Sequence, residues 1–265
     1  MKVLDVYSKK DLDILTCHGR KISEIMESFF SKFPKSYRVN YDRNLSNLMI
    51  WKVDEDYDDV ETSQYIPTHN LITFENIDTI IHELIHMASA NRLTGNMAFV
   101  KDMNDMLYEC ALVEGMTEYL SCMAIGNLPY NYYFEYFVIS MLSSIDGIFE
   151  PFFIPNHDKF ISLFKNRKDI YSLMYSLDYY HDNICDVDIN SENDIVKLQN
   201  SVKSTIDTLI DIELSFDKTL KEKQEYADKF MTLISMDDIR AFIFDICPKY
   251  REYAFKEVKK RVLGR

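Results

Sequence analysis

Turn-forming residues are scarce: 6 glycines and 6 prolines in 265 residues leave few tight reversals, which argues for much helix. Cysteine is also thin. Cys17, Cys110, Cys122, Cys185 and Cys247 are odd in number, widely spaced and contain no C-x-x-C pair, so a disulfide framework is not expected and reduced thiols in a cytosol are. Basic charge is in short supply, with 30 Lys and Arg against 43 Asp and Glu and a formal net charge of -13. That balance speaks against a nucleic-acid partner or an anionic membrane surface and tolerates basic substrates. No apolar run approaches the roughly 18 residues of a membrane span. Lys9, Lys10, Asp11 and Asp13 stand where a signal peptide needs its apolar core, so the expected location is cytoplasmic. Repeats and low-complexity tracts are missing too.

What is present is a globular composition, 47% hydrophobic and 14% aromatic. Leu12, Leu15, Ile22, Ile25, Met26, Phe29 and Phe30 recur at helical spacing, predicting a helix over 11–33 that stops before Pro34. Tyr37, Val39 and Tyr41 alternate, and Leu48 to Val53 is rich in strand formers, predicting two strands paired as a hairpin or set in a small sheet. The acidic run Asp54 to Glu61 reads as a solvated loop. Tyr133, Phe134, Phe137, Val138, Met141, Leu142 and Ile145 form an apolar helical stripe. Further helices are expected at 157–165, 168–181, 194–230 and 236–262, the last interrupted at Pro248 and opened by a capping arrangement at Ser235 to Asp238. Asp186 to Asn190 looks like the start of a calcium loop, but Ser191 replaces the required Gly and Lys197 the required Glu, which rejects it. The expected fold is α+β and predominantly helical: residues 1–75 as an N-terminal helix and small sheet, 76–126 as a helix pair, and 127–265 as a helical C-terminal region.

One stretch carries sharp chemistry. Thr79 to Ser89 contains His82-Glu83-Leu84-Ile85-His86, the pattern H-E-x-x-H. On a helix, positions i and i+4 lie one turn apart on one face, so His82 and His86 can converge on one cation with Glu83 beside it, a geometry that suits zinc. Ile77, Ile80, Ile81, Leu84, Ile85 and Ala88 make an apolar stripe on the opposite side, Asn76 or Thr73 can cap the start, and Asp78 complements the helix dipole. His69 upstream reads as a loop residue.

A second helix follows at Tyr108 to Leu120. Leu112, Met116, Tyr119, Leu120 and Met123 make its apolar stripe, while Glu114 and Glu118 project together one turn apart beside small Ala111 and Ser121. Such a pair suits one metal ligand and one group supporting it.

Together the two segments resemble the gluzincins, the zinc metallopeptidases that include thermolysin and the zinc aminopeptidases. In these, H-E-x-x-H on one helix is completed by a Glu on the next. The aminopeptidase pattern N-E-G-x-[AT]-x-Y-[LV] is matched by Glu114-Gly115-Met116-Thr117-Glu118-Tyr119-Leu120, with Val113 standing where the pattern has Asn. The Glu114/Glu118 pair is also similar to the E-x-x-x-E of lethal-factor-type proteases, whose first Glu is the ligand. The resemblance spans about 45 residues, Ile77 to Leu120. It implies a Zn2+ cofactor on His82, His86 and Glu114, Glu83 as general base, Glu118 supporting a ligand, and a peptide or protein substrate lying along an edge strand. The oxyanion donor is left unassigned: lethal-factor-type enzymes use a Tyr shortly before the ligand Glu, but a continuous helix places Tyr108 well away from the Glu114 face, and Tyr133, Tyr136, Tyr180, His157 and His181 stay open. The competing expectations are a zinc-stabilised regulatory or binding module with an idle site, and a protease dedicated to one repressor or host protein.

Overall fold

The computed structural model describes residues 2–54, 63–100, 110–129, 131–185, 191–236 and 248–264. The fold is α+β and predominantly helical, with a small N-terminal mixed sheet and a helical C-terminal half. The chain forms two compact units. The first comprises Met1–Met106, Thr117–Leu128 and Phe149–His157, and the second Leu107–Met116, Pro129–Ile148 and Asp158–Arg265.

The sheet of the first unit has four strands: β1 (Val3–Ser8), β4 (Met49–Val53), β5 (Gln64–Ile66) and β6 (Leu71–Phe74), in the order β1-β4-β6-β5. Strand β4 runs antiparallel to β1 and parallel to β6, while β5 returns antiparallel on β6 with Tyr65 opposite Ile72. Between β1 and β4 lie the hairpin β2 (Thr16–Cys17) and β3 (Arg20–Lys21), then α1 (Ile22–Phe30) and α2 (Val39–Leu45).

Two elements differ from the expectations above. The helix predicted over 11–33 is present only at Ile22–Phe30, because Ser8 and Asp11 close a capping box on a 3-10 turn at Lys9–Asp13, and His18 (φ 48°) with Gly19 (φ 72°) then make a tight reversal. Both positions have the positive φ that two-residue hairpin turns require, and the reversal outweighs the helical spacing of Leu12 and Leu15. The strand expected at Tyr37–Tyr41 is a 3-10 turn followed by α2. There Arg38 pairs with Glu27 and, at 2.8 Å, with Asp42 one turn on, and Tyr41 packs on Phe30 with centroids 4.9 Å apart. Tertiary packing overrides the β propensity of Tyr and Val. Strand β4, expected either to pair with that segment or to lie in a small sheet, does the latter, between β1 and β6.

The H-E-x-x-H stretch forms α3 (Ile80–Ser89), preceded by a 3-10 turn at Ile77–Thr79 whose cap is Asn76, its side chain accepting from the Asp78 amide at 3.0 Å. Thr73 is in β6 and plays no capping part. The isoleucine stripe packs against β5, β6 and α2, and Ile80, Ile81, Leu84 and Ile85 are fully buried. At roughly 1.5–3 kcal/mol per side chain, these four alone contribute on the order of 6–12 kcal/mol toward seating the helix, as an upper estimate. Its far end is tied by Asn44 of α2, whose side-chain amide donates to the carbonyls of Met87 (2.9 Å) and Ala90 (2.8 Å). The Met87 carbonyl, near the C-terminal end of the helix, also accepts from the Ala90 amide. The chain continues into the short ribbon β7 (Ala90–Asn91) and β8 (Asn96–Met97).

Helix α4 (Cys110–Ile125) carries the second motif and ends at Gly126, which has φ 90°. After it come α5 (Tyr133–Leu142), α6 (Glu150–Phe153), α7 (His157–Ser162), α8 (Arg167–Asn183), α9 (Glu192–Ser215) and α10 (Leu220–Leu233), with a last helix at Pro248–Glu257. In the second unit α8 and α9 pack along one another, with Ser176 and Thr205 hydroxyls 2.9 Å apart, and Phe137 of α5 meets Phe230 of α10 edge-on at 5.1 Å. The helix predicted over 194–230 is two helices, broken at 216–219. Thr219 and Glu222 form a capping box that starts α10, a T-x-x-E signature already present in the sequence. Pro248 begins the last helix, as a residue without an amide hydrogen does readily. The acidic run, the rejected calcium loop at 186–190 and the cap at Ser235 to Asp238 fall wholly or largely outside the described residues.

The start of α4 is held within the second unit. The Ala111 amide donates to Asp178 of α8 at 3.2 Å, and Gly115 faces α5 so closely that a Cβ there would lie 2.7 Å from the carbonyl oxygen of Glu135 and 2.8 Å from its Cβ. A backbone carbonyl cannot swing aside as a flexible side chain can. Gly115→Ala is therefore expected to destabilise the protein by about 1–3 kcal/mol, as overpacking does. Urea or thermal unfolding checks this, and a variant as stable as the parent would contradict the close approach of α4 and α5.

Candidate metal centre

Helix α3 presents His82 and His86 on the side away from its isoleucine stripe. Their Nε2 atoms are 3.0 Å apart and their rings meet edge-on, with centroids 4.8 Å apart. His86 is 5% exposed and Glu83 4%, so the helix is covered on its polar side as well as its apolar one.

The cover comes from α4. Glu118 Oε2 lies 3.0 Å from His82 Nδ1, and Thr117 Oγ1 lies 3.3 Å from His86 Nδ1. The second oxygen of Glu118 accepts from the Cys122 thiol at 3.7 Å, one turn further along. Burial and the neighbouring carboxylate both push the Cys122 thiol well above its ordinary pKa, so it stays protonated and able to donate. Tyr119 anchors the same stretch by stacking on Phe149 at 5.9 Å, and Lys32 donates to the Met123 carbonyl at 3.3 Å. Glu114 precedes Glu118 by one turn of this helix. Glu114 belongs to the second unit, while His82, His86 and Glu118 belong to the first.

Of the sequence-predicted residues, the first unit brings His82 and His86 side by side, with Glu83 between them in the chain and Glu118 behind His82. Glu118 is 6% exposed, so its carboxylate is withdrawn from solvent. His69 belongs to the turn before β6 and contacts Thr68 at 3.0 Å. Val113, at the position where the aminopeptidase pattern has Asn, is buried.

The donor set fits a zinc ion. A carboxylate at Nδ1 accepts that nitrogen's proton, which leaves Nε2 of His82 with a lone pair for a metal. In tetrahedral zinc two imidazole nitrogens stand roughly 3.3 Å apart, close to the separation of these two. With Glu114, the third ligand that the resemblance implies, the set would be two imidazoles and one carboxylate, the number that leaves a coordination position for a reactant.

Among the candidate oxyanion donors, His157 is held through Nδ1 by the Phe99 carbonyl at 2.9 Å. In the second unit His181 is held through Nδ1 by Glu135 Oε1 at 2.9 Å and stacks on Tyr132 at 5.6 Å, while Tyr180 is fully buried. Tyr133 and Tyr136 lie on α5, and Tyr108 lies outside the described residues. The contacts that went unread in the sequence are Thr117 and Asn44. Thr117 shares a helix with the glutamates and could have been placed by helical spacing, whereas Asn44 depends on a contact 43 residues away.

Compared with known protein families, with curated proteins and with solved structures, the chain matches none. The likeness to gluzincins therefore rests on the two motifs and on the geometry just described.

Glu118→Ala is expected to weaken zinc binding by about 10- to 100-fold, the usual cost of losing a group that orients a metal-ligating histidine, with Glu118→Gln falling between Ala and the parent. Competition with a chromophoric chelator measures it. Unchanged affinity in Glu118→Ala would remove the carboxylate from any part in holding His82.

Proposed function

We propose that the chain is a zinc-dependent metallopeptidase that hydrolyses peptide bonds. The observation that carries this reading lies within the first unit: His82 and His86 bring their Nε2 atoms to 3.0 Å on α3, with Glu83 on the same helix and Glu118 behind His82. A site built only to hold metal has no use for Glu83, which weighs against a regulatory module with an idle centre.

His82, His86 and Glu114 would hold the ion. When bound, zinc supplies Lewis-acid polarisation of a carbonyl and acidifies water, which lets hydrolysis proceed near neutral pH. Glu83 takes the proton from the attacking water and delivers it to the departing amine, a general-base step followed by a general-acid step. Glu118 and Thr117 fix the ring planes of the two histidines, so ligand geometry does not have to be reorganised when substrate arrives.

Substrate binding along β5 fits the same reading. Among the described residues β5 is an outer strand of the sheet, and it lies against α3. An extended peptide can add to such an edge through main-chain hydrogen bonds, which gives affinity with little side-chain selectivity.

The test is Glu83→Gln on a substrate found by peptide-library or casein screening. The amide keeps the size of the side chain but cannot act as a base, so zinc content and melting temperature are expected to hold. Turnover is expected to fall by at least about 10²- to 10⁴-fold, on the order of 3–5 kcal/mol in the barrier. Parent-like turnover in a zinc-loaded Glu83→Gln protein would rule out this mechanism.

A further inference from the structure

A second group of metal-binding side chains lies in the first unit, on residues that the proposed peptidase centre does not use. Cys17 ends β2, His18 occupies the first position of the β2–β3 turn, and Asp78 lies in the 3-10 turn that leads into α3. The Cys17 Sγ to Asp78 Oδ1 distance is 3.7 Å and the His18 Nε2 to Asp78 Oδ1 distance is 3.8 Å. The three ligand atoms lie within 4.8 Å of one another.

We propose that Cys17, His18 and Asp78 form a second divalent transition-metal site, one that takes Zn2+ and clamps the β2–β3 hairpin to the segment from which α3 starts. The argument rests on donor chemistry and spacing. Thiolate, imidazole and carboxylate are a borderline-soft set of the kind zinc and cobalt favour over calcium or magnesium. For tetrahedral zinc with ordinary bond lengths, sulfur and carboxylate oxygen stand roughly 3.6 Å apart, and imidazole nitrogen and carboxylate oxygen roughly 3.4 Å. The observed separations are within a few tenths of an ångström of these.

The backbone supports the arrangement. His18 takes φ 48°, which costs a residue with a Cβ some strain, and the turn places its ring beside Asp78. The Asn127 side-chain amide lies 3.5 Å from His18 Nδ1; with its oxygen turned toward the ring it accepts the Nδ1 proton and leaves Nε2 to the ion. Cys17 is fully buried, and burial, followed by the charge of Asp78, raises its thiol to about 12. An ion therefore displaces one proton from Sγ as the metal–sulfur bond forms, with no change of oxidation state. The side chains of His18 and Asp78 are 25% and 36% exposed, so the ion has a route from solvent and a fourth position for water, which makes occupancy reversible.

The experiment uses the full chain, stripped and reloaded with Co2+ and separately with Zn2+. A thiolate-to-cobalt charge-transfer band in the near ultraviolet is expected, since the His82/His86/Glu114 centre contains no sulfur. His86→Ala is expected to keep the band, and His18→Ala and Cys17→Ser to lose it. Two equivalents of zinc are expected in the parent and one in each of these variants. His18 is partly exposed, so His18→Ala keeps the test valid even if the buried Cys17→Ser change impairs folding, and far-ultraviolet circular dichroism checks helicity in each. No charge-transfer band in the parent, or a band that survives in folded His18→Ala, overturns the site. Loss of zinc from the other centre alone would leave this band in place, which separates failure of the peptidase reading from failure of this one.

Discussion

The contact on which the rest of the structure depends is the one between Glu118 on α4 and His82 on α3, 3.0 Å long with both side chains largely out of water. A carboxylate brought into such a place loses hydration worth several kcal/mol, and partners must replace it. Glu118 has the His82 ring on one oxygen and the Cys122 thiol on the other. The contact fixes the rotation of α3 and α4 about their axes, and with it which side chains share the space between them. Glu114 stands one turn back from Glu118 along α4.

Other parts of the fold serve to keep this contact in register. Four buried isoleucines and leucines seat α3 on the sheet, Asn44 holds its far end, and Asn76 caps the turn before its start. On α4, Tyr119 stacked on Phe149 restrains the half that carries Glu118, and the Asp178 carboxylate caps the half that carries Glu114. Gly115 lies between these halves because nothing larger fits against Glu135. Small, separately modest interactions thus set the placement of the two imidazoles and of the Glu118 carboxylate.

The parts of the chain legible from sequence were those with strong local periodicity. The His82/His86 spacing, the isoleucine stripe and the Glu114/Glu118 pair all rest on the 3.6-residue repeat, and α3 and α4 appear where that repeat puts them. Elements set by turns or by distant packing were misread. Leu12 and Leu15 fit a helix that the His18-Gly19 reversal forbids, and Tyr37 to Tyr41 alternate like a strand yet coil because Arg38 and Phe30 hold them. The pairing of Cys17 and His18 with Asp78 spans 61 residues for the thiol contact and leaves no local trace, so no spacing rule could have found it.

The central claim is that α3 and α4 together hold a catalytic zinc through His82, His86 and Glu114. Anomalous diffraction from zinc-loaded crystals, recorded on both sides of the zinc absorption edge, tests it most directly. The account predicts a zinc peak bonded to Nε2 of His82, Nε2 of His86 and a carboxylate oxygen of Glu114, with the Glu118 carboxylate at His82 Nδ1 and outside bonding distance of the ion. Zinc-loaded crystals with no peak between the two histidines, or with a peak ligated by Glu118 in place of Glu114, would contradict it.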